Sequence, residues 1–99
     1  MIVEKEFIRI SNGEKLAYLK AGNGKKTLIL IHGNYTSSVQ FLPLLNQIDE
    51  DFTAYAIDLR GFGDSTYYRR VNFCLDWADD IYRFITKLNL ENVFVIGHS

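Results

Sequence analysis

Cysteine is almost absent from this chain of 99 residues, which contains only Cys74. A single thiol cannot form an internal disulfide or a multi-thiolate metal site, so a disulfide scaffold and a zinc module are both excluded. We expect no metal, and we expect Cys74 to be a buried thiol.

Long apolar runs are also missing, since none exceeds the four residues Leu28–Ile31. A membrane-spanning helix needs about 20 such residues. The first residues, Met1–Glu6, mix acidic and basic side chains and do not resemble a secretion signal. We therefore expect a soluble, cytoplasmic protein with no membrane partner.

Neither sign of charge dominates, because 11 Lys and Arg face 12 Asp and Glu, for a net charge of -1. No charged run is long enough to follow a phosphate backbone, so we expect no nucleic-acid partner. The composition is 47% hydrophobic and 14% aromatic, which predicts a buried core. The length allows at most one domain.

The hydrophobic pattern predicts five strands. Residues 6–10 and 15–20 alternate on either side of a polar Gly-containing break and predict an antiparallel hairpin. Three further apolar segments predict buried strands, and the first of them a central one: Thr27–Ile31, Thr53–Ile57 and Val93–Ile96.

Two helices are predicted between these strands. Apolar residues recur from Ser38 to about Ile48, and again from Phe73 to Leu88 after Asn72, a candidate N-cap. The second stripe predicts a core face, which includes Phe73 and Trp77, and a solvated face that carries the charges Asp76, Asp79, Asp80 and Arg83. The resulting order predicts an α/β fold: an open, mostly parallel sheet with an N-terminal antiparallel hairpin and helices on both faces.

Ligand sites of such sheets lie at the carboxyl ends of the strands. The three predicted buried strands end at His32-Gly33-Asn34, at the loop Asp58–Ser65, and at Gly97-His98-Ser99. These three motifs, in this order and each after its strand, resemble the α/β-hydrolase family. The resemblance extends from about Phe7 to Ser99 and implies that residues 1–99 are the N-terminal portion of a single α/β-hydrolase domain.

The resemblance implies a site. Gly97 and Ser99 match the first half of the G-x-S-x-G nucleophile elbow, which makes Ser99 the nucleophile. In this family one oxyanion N–H comes from the loop after the third strand, which assigns the backbone N–H of Asn34 to that role. The other oxyanion donor in this family is the backbone N–H of the residue after the nucleophile.

In the same family the catalytic acid and histidine follow the serine in chain order, so the resemblance places both beyond Ser99. The two histidines present, His32 and His98, are interpreted as structural, with His98 in a packing role. Asp58, Arg60 and Ser65 are interpreted as a structural loop, held by hydrogen bonds to its own backbone.

Two candidate nucleotide-binding motifs are incomplete in this sequence. Gly61-Phe62-Gly63 begins like a dinucleotide fingerprint, but Thr66 replaces its third glycine. If Gly24-Lys25 were the end of a phosphate loop, position 19 would have to be glycine, but it is Leu19. The segment also precedes a predicted strand, whereas a phosphate loop follows one. We expect no cofactor.

The resemblance implies a serine hydrolase that forms an acyl-enzyme, with a small carboxylic ester as substrate. Within the family, residues 32–38 also look like the loop of haloalkane dehalogenases, so a dehalogenase-like enzyme is an alternative, and a C–C bond hydrolase is another. Dehalogenases and the related epoxide hydrolases use an aspartate where Ser99 stands, which favours acyl transfer over their reactions. A non-catalytic relative that binds a small molecule or a protein partner is a further alternative, and the remainder of the hydrolase polypeptide is an expected partner of these residues.

Overall fold

The computed structural model describes residues 3–98, which form one sheet and three helical segments. The five strands are β1 (Lys5–Arg9), β2 (Lys15–Ala21), β3 (Lys26–Ile31), β4 (Phe52–Ile57) and β5 (Val93–Gly97). All five predicted strands are present, within two residues of the predicted bounds.

The strand order in the sheet is β1-β2-β4-β3-β5. β1 and β2 form the predicted antiparallel hairpin, and β2 pairs antiparallel with β4. β3 is parallel to both of its neighbours, β4 and β5. The predicted interior position of β3 is confirmed, and the carboxyl ends of three parallel strands meet at one edge.

The two faces of the sheet pack against different helical segments. Alternate residues of a strand point to opposite faces, so Ile29 of β3 joins one core while Leu28 and Leu30 join the other. The first core contains Ile81 and Phe84 of α2 (Cys74–Lys87). The second contains Phe41 and Leu45, from a 3₁₀ helix (Ser38–Phe41) and the following α1 (Leu42–Leu45). The predicted α/β architecture, with helices on both faces, is confirmed.

The helix predicted from Ser38 to Ile48 is shorter than expected. Val39, Leu42, Leu45 and Ile48 recur at strictly every third residue, which fits the three residues per turn of a 3₁₀ helix better than the 3.6 of an α-helix. The segment accordingly begins as 3₁₀ and ends with a single α-turn. Of the predicted apolar face, only Leu45 is fully buried, and Val39 is 49% exposed.

Three predictions about the start of α2 are wrong. Asn72 is not the cap: Phe73 holds that position, and Asp76 Oδ2 accepts the N–H groups of Asn72 and Phe73 at 2.8 and 3.2 Å. Phe73 is not core but 73% exposed, and Cys74 is also exposed. Both side chains are exposed because the first turn of α2 borders an open apolar groove beside β5 instead of the closed core.

The third parallel strand is also not buried as predicted. Phe94, Val95 and Ile96 are each about half exposed, at 53, 57 and 48%. Within residues 3–98, β5 has a hydrogen-bonded neighbour only on its β3 side, so it is the edge strand there. An edge strand with apolar side chains on both faces is a surface prone to pair with other strands.

Candidate functional site

The ends of β3 and β5 are level with each other. Ile31 is the register partner of Gly97, and the N–H of His98 donates to the carbonyl of Ile31 at 3.0 Å. The loop after β3, residues 33–37 (the β3 loop), therefore begins beside the Gly97-His98 segment. Two of the three motifs found in the sequence share one edge of the sheet.

A cleft of about 620 Å³ opens between these segments. Its floor and walls combine motif residues with apolar side chains from the segment after β4 and from α2. The lining residues are Ile31, His32, Gly33, Asn34, Leu59, Phe62, Trp77, Gly97 and His98. This volume is in the range of a pocket for a small organic molecule.

His32 uses both ring nitrogens within the fold. The ring is 3% exposed, its Nε2 accepts the Leu59 N–H at 3.0 Å, and its Nδ1 lies 2.8 Å from the Gly33 carbonyl. A neutral ring with its proton on Nδ1 satisfies both contacts. The prediction that His32 is a structural hydrogen-bonding residue is confirmed, and this ring has no nitrogen left to act as a base.

The β3 loop contributes Gly33 and Asn34 to the lining of the cleft. Asn34 is exposed, and within residues 3–98 its N–H donates to no backbone or side-chain acceptor. Tyr35, the next residue, is 99% exposed and has a φ of 60°. A bulky side chain in this left-handed region is uncommon and often marks a functional loop. The oxyanion role of the Asn34 N–H remains a prediction.

His98 does not pack as predicted. It is exposed, and its Nδ1 lies 3.2 Å from Nε2 of Gln40 on the 3₁₀ helix. Within the described part of the chain no side chain encloses the ring, because β5 is an edge strand here. Ser99, the predicted nucleophile, lies outside the described residues.

Asp58 is the most connected carboxylate at this edge. It is fully buried; Oδ1 accepts the Ser38 N–H at 2.7 Å, and Oδ2 accepts Lys5 Nζ at 2.6 Å and the Asp64 N–H at 3.0 Å. Burial alone would raise the pKa of Asp58, but the donors from Asp64, Lys5 and Ser38 outweigh it and lower the pKa. Asp58 is therefore an anion at neutral pH.

The loop after β4 is structural, as predicted, but its bonds reach further than expected. Ser65 Oγ does bond within the loop, donating to the Asp58 carbonyl at 2.6 Å, yet it also accepts the Ala17 N–H of β2 at 2.8 Å. Arg60 pairs with Asp80 of α2. The prediction that Asp80 lies on a solvated face is wrong, because this ion pair buries it completely.

Sequence reasoning missed three residues of this network: Lys5, Glu14 and Asp80. Glu14 is fully buried and accepts Thr66 Oγ1 at 2.6 Å and the N–H groups of Tyr68 and Arg69 at 3.1 and 2.8 Å. Its pKa is lowered, because the hydrogen bonds from Thr66 and the two N–H groups outweigh the effect of burial. No periodic pattern marks such residues, because each acts through contacts with residues distant in sequence.

Two features are absent from the described residues. Among residues 3–98, no group of three or more His, Cys, Asp or Glu side chains is arranged to hold a metal ion. No helix in the same range is long and apolar enough to cross a membrane.

Comparison with known proteins identifies the family. The family model described as alpha/beta hydrolase fold matches residues 26–99. A match over this share of the sequence, on a chain that already shows the sheet order and the strand-end motifs, is decisive. The chain belongs to the α/β-hydrolase fold family.

Individual relatives agree with this assignment. A soluble epoxide hydrolase of Corynebacterium sp. (strain C12) is 34% identical over 88 residues, which cover 89% of this chain and 30% of that protein. The solved structure of the epoxide hydrolase CorEH superposes with a TM-score of 0.89 at 32% identity, covering 99% of this chain and 34% of its own. The solved structure of an esterase from Exiguobacterium antarcticum superposes with a TM-score of 0.85 at 27% identity, and the match covers 97% of this chain and 36% of its own. The chain thus spans about a third of the length of these relatives.

Proposed function

We propose that this chain is part of a serine hydrolase that cleaves a carboxylic ester through an acyl-enzyme. The observation that carries the proposal is the level pairing of Ile31 with Gly97, which brings the β3 loop beside the segment that precedes Ser99. A nucleophile after β5 and an N–H donor after β3 would then serve one substrate carbonyl.

The proposed reaction has two stages. The Ser99 hydroxyl attacks the ester carbonyl and gives its proton to a histidine, and the carbonyl oxygen becomes an oxyanion that the Asn34 N–H stabilises. Collapse of this intermediate expels the alcohol, which takes the proton from the histidine, and leaves the acyl group on Ser99. Water then attacks the acyl-enzyme by the same route and releases the acid.

The general base of this reaction is assigned to residues that follow Ser99. His32 has both nitrogens engaged by Leu59 and Gly33. His98 adjoins Ser99 in sequence, and its Nδ1 faces Gln40. A base must reach the proton that it removes, and in this family the histidine comes later in the chain.

The apolar walls of the cleft support a substrate with a small apolar group. Leu59, Phe62 and Trp77 line it, and the indole Nε1–H of Trp77 is already engaged by the Arg60 carbonyl at 3.1 Å. These side chains offer contact area without free polar groups. A short acyl or alkyl group fits such a wall better than a charged one.

Epoxide hydrolysis is the second candidate, because epoxide hydrolases are among the relatives compared. Those enzymes use an aspartate nucleophile, which forms an alkyl ester that water can hydrolyse. Position 99 is serine, and a serine would form an ether in that step, which water does not cleave. The residue at this position favours acyl transfer.

Covalent labelling of the full-length protein tests the proposal. An aryl fluorophosphonate is expected to modify Ser99, as located by peptide mapping, and Ser99→Ala should abolish both labelling and turnover of aryl acetates. Ser11→Ala, which changes a serine that accepts a hydrogen bond from Arg83 and does not line the cleft, is the matched control and should behave like the wild type. Labelling elsewhere would disprove the nucleophile assignment, and turnover of styrene oxide in place of esters would favour the second candidate.

A further substitution separates the two donors that Asn34 could provide. Asn34→Ala keeps the backbone N–H, so ester turnover is expected to remain largely intact. A loss of about 100-fold in kcat would instead show that the side-chain amide contacts the oxyanion. Steady-state kinetics of this variant on an aryl acetate decides between them.

A further inference from the structure

Two residues that follow β4 hold the β3 loop at its two ends. The Leu59 N–H donates to His32 Nε2 at 3.0 Å on the near side, and Asp58 Oδ1 accepts the Ser38 N–H at 2.7 Å on the far side. Between these anchors, within residues 3–98, no N–H of residues 33–37 donates a hydrogen bond to the protein. The position of the loop is therefore set from its ends.

The Asp58 carboxylate cannot rotate away from the Ser38 N–H. Its second oxygen is held by Lys5 and by the Asp64 N–H, so the carboxylate plane is fixed while Oδ1 faces Ser38. Asp58 and Ser38 are both fully buried, and water does not reach this bond as a substitute partner. A charge-assisted bond of this kind is among the stronger hydrogen bonds in a protein.

The loop between the anchors is expected to change conformation if one anchor is lost. Tyr35 has a φ of 60° although it is a large residue with no buried contact that rewards this conformation. Such a conformation persists only where its surroundings hold it. Releasing one end would let Tyr35 return to an ordinary conformation and would move the N–H of Asn34, its neighbour.

We propose that Asp58 is a positioning residue that fixes the Asn34 N–H at the oxyanion site by holding the end of the β3 loop. The inference rests on the proposed function. It differs from a general stabilising role, because it predicts a loss in the chemical step that exceeds any loss of substrate binding.

Asp58→Asn in the full-length protein tests this role against a matched control. An amide has one acceptor oxygen, so it cannot satisfy Ser38 on one side and Lys5 with Asp64 on the other. Glu14→Gln makes the same chemical change in another fully buried carboxylate with three donors, none of which belongs to the β3 loop. Both variants should lose stability, and only the first should lose catalysis.

The measurement is kcat and KM on an aryl acetate, at a temperature where circular dichroism shows all proteins folded. Asp58→Asn is expected to lower kcat by about 100-fold, the scale of a misplacement of roughly 1 Å, with KM nearly unchanged. Glu14→Gln is expected to keep kcat near the wild-type value. Equal losses in both variants, or an unchanged kcat in Asp58→Asn, would overturn the proposal.

If Asp58→Asn does not fold, Lys5→Met replaces it, because this change removes one of the two donors that fix Oδ2 and so allows the carboxylate to rotate away from Ser38. It should lower kcat in the same direction by a smaller factor, and a wild-type kcat would again overturn the proposal. The rate at which the fluorophosphonate labels Ser99 distinguishes a failure of the proposed function from a failure of the positioning role. An unlabelled wild-type Ser99 disproves the proposed function, whereas equal labelling of the wild type and Asp58→Asn disproves only the positioning role.

Discussion

Arg60 and Asp80 form a bidentate ion pair between the loop after β4 and α2. Arg60 Nε and Nη2 donate to the two carboxylate oxygens at 2.8 and 2.7 Å. The exposed fractions of the two side chains are only 6% and 1%. The contact with Asp80 is the main cause that raises the pKa of Arg60. This pair attaches α2 to the segment that carries the walls of the cleft.

Removing one partner of this pair should be costly. Asp80→Ala leaves a buried guanidinium without its counter-ion, and we expect the free energy of unfolding to fall by about 3–5 kcal/mol. Asp79→Ala breaks the neighbouring pair with Arg83, whose side chains are 35% and 49% exposed, and should cost less than about 1 kcal/mol. Urea denaturation of the two full-length variants measures both, and similar losses would contradict the prediction.

Acid should destabilise the protein through Asp58 and Glu14. Both have a pKa lowered by folding, so each contributes stability that is complete above the unfolded pKa, about 4, and is lost as the pH falls through the folded value. The free energy of unfolding should therefore be flat near neutral pH and fall below about pH 4. Urea titrations across this range should show a shallower fall in Asp58→Asn and Glu14→Gln; an unchanged slope in both would refute the assignment.

Gly63 should tolerate no side chain. An added Cβ would meet the carboxylate of Asp58, and the φ of 52° is unfavourable for alanine. Gly13→Ala is the control, because Gly13 also has a positive φ, of 94°, but nothing lies within 4 Å of its added Cβ. We expect Gly63→Ala to lower both the melting temperature and the rate of phosphonate labelling, and Gly13→Ala to lower only the former. Equal labelling rates in the two variants would contradict the expectation.

Residues 1–99 expressed by themselves should not form a stable monomer. Phe94, Val95 and Ile96 expose an apolar edge strand, which pairs readily with other chains. Size-exclusion chromatography should show oligomers or aggregates, and Val95→Lys should shift the material toward the monomer by placing a charge on that edge. A monodisperse wild-type monomer with a cooperative unfolding transition would disprove this prediction.

The fold was largely predictable from the sequence, because strands are marked by local pattern. The break at residues 11–13 and the two-sided apolar run of β3 each specify one arrangement. What could not be predicted depends on partners distant in sequence. Asp80 looks like any surface charge on a helix until Arg60 is placed beside it, and Glu14 looks like part of a polar turn.

The candidate site was predictable only at the level of its motifs. The spacing of Gly33-Asn34 and of Gly97-His98 after apolar runs marks the strand ends, and the family resemblance supplies their roles. The bond between Asp58 and Ser38 joins residues 20 apart in sequence and has no signature in either segment. The left-handed conformation of Tyr35 is equally hidden, because nothing in its residue type favours it.

The two anchors of the β3 loop lie on consecutive residues, Asp58 and Leu59, so the loop and this short segment form a closed ring. A change of length at residues 34–36 has to be absorbed within that ring, so it would displace the Asn34 N–H before it disturbed the sheet. The sheet is thereby insulated from this loop, while the loop itself is expected to keep a fixed length.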